Sequence, residues 1–295
     1  MSWRYGSDVR LYLVMLYPLL LQVAHPVVSA GVQDFSDFEA RPWQRLLASL
    51  DYVTLLIYGG PQAAETGRRL REMHKRFRGV RPDGRRYSAL EPSAYAWVHA
   101  TLLDSYVSGH AQFGRPLPPA ARDRFVREYR ELGRLIGVRR SELPDDWSGF
   151  RAYLQSTIDR QLEPTESVAS VLRAVQEAKP PPLPIPEIIW RGVRIPARRA
   201  LWLGGVGLLP ADLRGRLGIG WARGDERQFQ LLGRLARACT PVMPPGLRVS
   251  GPTQLRVRRR AMARGPLGGG APGPLGGGAP GPEVLRSRTG PSARP

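Results

Sequence analysis

At 295 residues and 42% hydrophobic content, the chain can bury the core of one large domain or two small ones. A single cysteine, Cys239, excludes an intramolecular disulfide framework and a cysteine-built zinc site. The formal charge of +19 invites a nucleic-acid reading, but nine arginines and one glutamate from Arg248 onward carry +8 of it and only Lys75 and Lys179 are lysine, so no specific nucleic-acid partner is expected, only weak attraction to anionic lipid or RNA.

Helical patterning begins at once. A first helix is predicted over residues 8–24 and stops at His25-Pro26, because the residue before proline is pushed out of the helical region. The apolar run 11–32 is long enough to raise a membrane span. Pro18, Gln22, His25 and Pro26 interrupt it, Arg4 and Arg10 alone precede or open it, and neither a cleavage site nor a twin-arginine pair accompanies it. The expectation is a buried helix and a turn in a cytoplasmic chain without an export signal. Leu11, Tyr12, Leu19, Leu20 and Leu21 would offer an apolar surface for peripheral membrane contact.

Pro42 suits the first turn of a helix over 42–58, stopped by Gly59-Gly60-Pro61. Pro61 opens the next, predicted to reach Phe77 or Arg78 with Gly79 ending it. Arg81-Pro82-Asp83-Gly84 has turn chemistry. Pro92 starts a helix to Phe113 carrying Trp97, Val98, Leu102, Tyr106, His99 and His110. After Pro118-Pro119, Phe125, Tyr129, Leu132, Leu135 and Ile136 recur at helical spacing. Further helices are predicted at 147–162, 165–178, 196–209, 210–217 and 225–238, with a polyproline connector over 179–186. No stretch alternates with period two. The predicted fold class is all-α, with one helical domain over 1–245, a basic extension over 246–264, and a disordered tail over 265–295 in which Gly-Pro-Leu-Gly-Gly-Gly-Ala-Pro occurs twice.

No His-Glu-x-x-His, phosphate-binding Gly-Lys-Ser/Thr loop or Gly-x-Ser-x-Gly elbow is present, and Gly204-Gly205-Val206-Gly207 has no strand before it. The chemistry concentrates in Leu70–Arg78. Gly67, Leu70, His74 and Phe77 fall on one helical stripe with Arg78 at its edge. His74 is then either an iron ligand, with Gly67 clearing room for a flat cofactor and Arg78 meeting a carboxylate, or a packed core histidine. On the preceding helix Arg45 and Ser49 lie one turn apart on the side of Tyr52 and Leu56; that side is either solvent-facing or the wall of a pocket. His25, whose ring at the break would meet exposed helix-end carbonyls, and His99 in mid-helix are further candidates, each read first as structural, and His110 reads as a helix C-terminal partner.

The runs Leu21-Gln-Val-Ala-His25-Pro-Val-Val-Ser-Ala-Gly-Val32, Phe35-Ser-Asp-Phe38, Pro42-Trp-Gln-Arg45-Leu46, Met73-His74, Tyr87-Ser-Ala89 and Trp97-Val-His-Ala-Thr101 resemble the family of the rubber oxygenase (latex clearing protein) and the mycophenolic-acid oxygenase. The resemblance runs over about residues 10–240 in the same order and spacing. It implies a globin-related helical core holding heme b, and dioxygen chemistry on a hydrophobic small molecule such as an isoprenoid or lipid. The family's proximal histidine, followed four residues on by arginine, corresponds to His74 and Arg78. Its pocket arginine and threonine correspond to Arg45 and Ser49, making these the implied catalytic pair; His25 and His99 stand beside His74 and Arg78 as candidate cofactor contacts. Ala48 stands where the rubber oxygenase pattern has lysine, and no residue corresponds to the family's glutamate base. The rival readings are a non-catalytic heme- or lipid-binding protein and a basic nucleic-acid-associated protein.

Overall fold

The structure, a computed structural model, describes residues 2–177 and 186–244 together with Pro180 and Arg248. The predicted tail, and nearly all of the connector and basic extension, lie outside the described residues. The N-terminal stretch forms a short helix α1 (Ser2–Tyr5), a 3-10 segment (Val9–Val14) and α2 (Leu16–Val23) in place of one continuous helix. Pro18 accounts for the break, since it has no N–H for the Val14 carbonyl and its ring crowds that carbonyl. His25 then caps α3 (Pro26–Phe35). No single helix among the described residues is long and apolar enough to cross a membrane; the 3-10 segment with α2, and α3, pass only as a pair bent by 102°. The apolar surface expected here is mostly interior. Leu20 and Leu21 are fully buried, and of the five residues only Leu19 is exposed.

Helix α4 (Pro42–Tyr58) follows prediction to the residue, and α5 (Gln62–His74) begins after Pro61. It ends three to four residues sooner than predicted. Beyond His74 the chain enters a hairpin, β1 (Arg78–Val80) pairing antiparallel with β2 (Arg86–Ser88), around a turn closed by Gly84 N–H to Arg81 O at 2.9 Å. Gly84 has φ +81°, which explains glycine there. This two-stranded sheet corrects the expectation that no strand is needed; three-residue strands are too short to display alternation.

Helix α6 (Pro92–Phe113) is the axis of the molecule. Trp97 and Phe113 are completely buried, and α2, α7 (Pro119–Ile136) and the later helices pack around them. Trp97 Nε1 donates to Leu21 O at 2.9 Å, and Tyr17 Oη donates to Asp104 Oδ2 at 2.5 Å, so α2 is fixed to α6 by polar as well as apolar contacts. Arg151 of α8 (Trp147–Gln161) reaches the other Asp104 oxygen at 3.3 Å. Burial raises the Asp104 pKa, and these donors partly offset it. Helix α9 (Glu166–Glu177) covers α3, and Ser29 and Ser167 exchange hydrogen bonds there.

Helix α10 (Glu187–Val206) starts nine residues earlier than predicted and carries Pro196 inside it. Its C-terminal half is buried against Leu13 and Leu16. A Cβ on Gly204 would stand 2.1 Å from Leu13 O, and one on Gly205 2.4 Å from Leu16 Cβ, so this glycine run serves helix packing. Short α11 (Ala211–Arg216) and α12 (Arg223–Cys239) complete the order. Trp202 stacks on Trp221, with Arg199 and Arg214 each facing one of the rings. The described fold is all-α apart from the hairpin.

Candidate functional site

His74 closes the last turn of α5, half-buried, with Tyr95 of α6 against its ring and the Arg45 charge of α4 within electrostatic reach. Its Nδ1 lies 2.7 Å from the Leu70 carbonyl one turn back. A carbonyl can only accept, so Nδ1 carries the proton and the neutral ring presents Nε2 as its lone-pair nitrogen. That is the tautomer a metal ligand requires, with the orienting hydrogen bond already made. Burial lowers the His74 pKa and the nearby Arg45 charge lowers it further, while the Leu70 contact opposes both.

Two aromatic rings frame the imidazole. Tyr95 of α6 meets it at 5.7 Å in an edge-on arrangement, and Phe77 meets it at 5.3 Å. Phe77 in turn stacks on Phe35 at the end of α3, with centroids 4.7 Å apart. This stack and the hydrogen bond from Ala89 N–H to Phe77 O hold the backbone that leaves α5. Tyr95 is 8% exposed and its Oη is buried without a hydrogen-bond partner. Burial lifts its pKa to about 12, so it stays a neutral donor.

Arg45 supplies the site's positive charge. Its Nη1 donates to Ser49 Oγ at 3.0 Å, and that hydroxyl donates to Arg45 O at 3.1 Å, so the pair one turn apart is joined as a unit. Burial lowers the Arg45 pKa. The acid that favours its charge, Asp37, is itself ion-paired with Arg41. The side of Arg45, Ser49 and Tyr52 is half-buried, as is that of Leu46, Leu50 and Val53; the exposed face of α4 here is Gln44, Leu47 and Asp51. Arg45 thus links the two: it is bonded to Ser49 and its charge is felt by His74, 29 residues on in the chain.

Other expected members fall elsewhere. Arg78 is on β1, exposed and opposite Ser88, because the helix that would have carried it one turn past His74 has ended. Gly67 does not clear space beside His74. A Cβ there would stand 2.1 Å from Leu135 O, so the bare Cα lets α5 lie against the backbone of α7. His99 stacks on Tyr129 at 4.2 Å and donates from Nε2 to Tyr129 O at 2.8 Å, in the position of a packed core histidine. His110 donates to Tyr5 O at 2.9 Å, an N-terminal carbonyl and not one of its own helix. His25 is 3% exposed, with Nε2 2.9 Å from Gln161 Oε1 and Nδ1 buried without a partner. It bonds a side chain of α8 and not the helix-end carbonyls expected. Tyr95 escaped the sequence reading; a tyrosine two residues before Trp97 on an apolar helix gives no local sign that it faces position 74.

The donor set narrows the possible metal chemistry. Among the described residues no three of His, Cys, Asp and Glu converge on one point, so His74 cannot be part of a protein-built three-ligand centre there. A single oriented imidazole fits a metal whose other ligands come from a macrocycle. A half-buried guanidinium without its own carboxylate fits an acidic group on that macrocycle.

All four histidines have lowered pKa values with burial as the leading cause, and His99 falls to about 4. Between that value and the unfolded value near 6.5 the unfolded chain binds the proton that the folded chain refuses, so stability falls as pH falls. His99 alone contributes roughly 3 kcal/mol of loss across this window. The urea midpoint is expected to drop steeply between pH 7 and pH 4, and less so in His99→Gln, compared at equal starting stability.

The model of a protein family described as "ER-bound oxygenase mpaB/B'/Rubber oxygenase, catalytic domain" matches residues 3–238, four-fifths of the chain. No curated protein and no solved structure matches it.

Proposed function

Since the chain belongs to the mpaB/rubber oxygenase family, we propose that it is a heme b-dependent oxygenase acting with dioxygen on a hydrophobic small molecule such as an isoprenoid or lipid. The observation that carries this reading is the His74 tautomer: Nδ1–H held on Leu70 O, with Nε2 left as an acceptor beside the half-buried Arg45. Heme, when bound, supplies the oxygen-activating chemistry, and the protein supplies ligation, orientation and a dry site. His74 would be the ligand through Nε2. Arg45 would pair with an acidic substituent or stabilise negative charge developing on bound reactants, with Ser49 holding the guanidinium in place. The unpartnered Tyr95 hydroxyl would donate to a bound group or to a water in the pocket. Phe35, Phe77 and the apolar residues of α4 would exclude bulk water.

Ala48 offers no side chain able to reach a metal. The buried carboxylate of Asp104 is already engaged by Tyr17 and Arg151, so α6 does not supply a free base. This favours a second reading, heme binding without catalysis. Hemin titrated into purified protein is expected to give a Soret band that survives desalting. Oxygen uptake on adding an isoprenoid then supports the oxygenase, whereas a stable Soret band without uptake over a range of isoprenoids and lipids supports the carrier. Protein that stays colourless after hemin addition excludes both.

A further inference from the structure

The N-terminal half of α10 projects from the body of the protein. From Arg191 to Arg198 every residue is exposed, and Ile188 is 80%, Ile189 52%, Val193 44% and Ile195 57% exposed. Single exposed apolar residues need no account, but four β-branched ones on two turns do. Their placement is ordered. Ile188, Gly192 and Ile195 share one stripe, with Ile189, Val193 and Pro196 beside it; Arg191, Arg194 and Arg198 form a separate stripe along the margin. Farther along the helix Leu203–Val206 are buried, so the arm is rooted in the core.

We propose that this arm docks on an anionic lipid surface, laying its isoleucines at the headgroup boundary while the arginines reach the phosphates. An exposed helix with a wide apolar arc and a marginal arginine stripe fits a bilayer interface, where long basic side chains extend from a buried stem to the charged layer. Charge complementarity selects the occupant. Within the arm only Glu187 is acidic, and it is paired with Arg191 at 3.1 Å; among the described residues Arg194 has no acid partner. The chain's +19 adds long-range attraction to a negative surface. The helix is too polar to span, so the contact is interfacial.

The test uses the full chain with vesicles of phosphatidylcholine containing phosphatidylserine, against phosphatidylcholine alone, by flotation. Wild type is expected to float with the anionic vesicles and to be released by high salt. Ile188→Asp with Ile195→Asp keeps every arginine, and is expected to lower partitioning about tenfold or more. Arg191→Gln with Arg194→Gln should lower it about 25-fold, about fivefold for each charge removed from the surface. Because these side chains are exposed, far-UV circular dichroism and thermal midpoints should match wild type. Unchanged flotation of the double Ile variant would overturn the proposal, since basic segments elsewhere would then account for binding. So would a wild-type dimer in light scattering that the Ile variant dissociates while vesicles go unbound, or retention on RNA without flotation.

Discussion

His74→Ala is expected to eliminate the Soret band of the hemin-loaded protein while leaving the fold intact. Loss of a hydrogen-bond partner that merely orients a ligand weakens metal binding by about 10–100-fold. Loss of the ligand itself should exceed that range. The side chain is half-buried and its polar contact is local, so stability should change by no more than about 1 kcal/mol. His99→Ala makes the opposite pattern. It removes a buried ring stacked on Tyr129 together with its hydrogen bond to Tyr129 O, at a cost of about 2–4 kcal/mol, with the Soret band retained. Spectrum and melting curve measured on both variants separate a ligand from a packed histidine. A band that persists in His74→Ala and disappears in His25→Ala would move the ligand to His25, whose Nδ1 is also a buried lone-pair nitrogen.

Gly67→Ala is expected to be among the most damaging single substitutions in the chain. Its Cβ would meet Leu135 O at 2.1 Å and Leu135 C at 2.7 Å, backbone atoms that no rotamer change can move away. Helix α5 must then separate from α7, and the cost should reach about 3 kcal/mol or more. In a domain of this size that lowers the melting temperature by roughly 6–12 °C. Gly215→Ala is the control: nothing lies within 4 Å of the added methyl, and helical glycine replaced by alanine should gain about 0.5–1 kcal/mol. A normal melting temperature with weakened hemin binding in Gly67→Ala would instead restore a cofactor-clearance role for this glycine.

Gly67 also illustrates what the sequence conveys. Its place on the stripe with His74 was readable from helical spacing, but the partner of that stripe was not. A glycine facing a cofactor and one facing another helix's backbone look identical in one dimension. Local signals did well: Pro42 and Gly59 bounded α4 to the residue, and the Arg45–Ser49 spacing corresponds to a formed hydrogen bond. Errors gathered where a distant contact competes with propensity. Arg78 reads as helical because nothing nearby stops it, yet pairing with Ser88 and the Phe35–Phe77 stack draw the chain off the helix axis after His74. Tyr95 was missed for the same reason, since its relation to His74 exists only once α6 and α5 are packed. Pro196 misled in the other direction; on an exposed arm with no neighbour for a kink to disturb, it does not mark a helix start.

The hydrogen bond from His74 to Leu70 has a consequence for the order of assembly. Many orienting partners of ligand histidines come from another part of the chain and exist only after tertiary packing. Here donor and acceptor are four residues apart on one helix, so the imidazole tautomer that the proposed ligand role needs is set as soon as the last turn of α5 closes. Helical turns close in well under a microsecond to microseconds, far ahead of the docking of α6 and α7. A nascent or partly folded chain therefore presents Nε2 as a lone-pair nitrogen before the packing around it is complete, and under the proposed ligand role heme capture is expected to accompany folding rather than await its end.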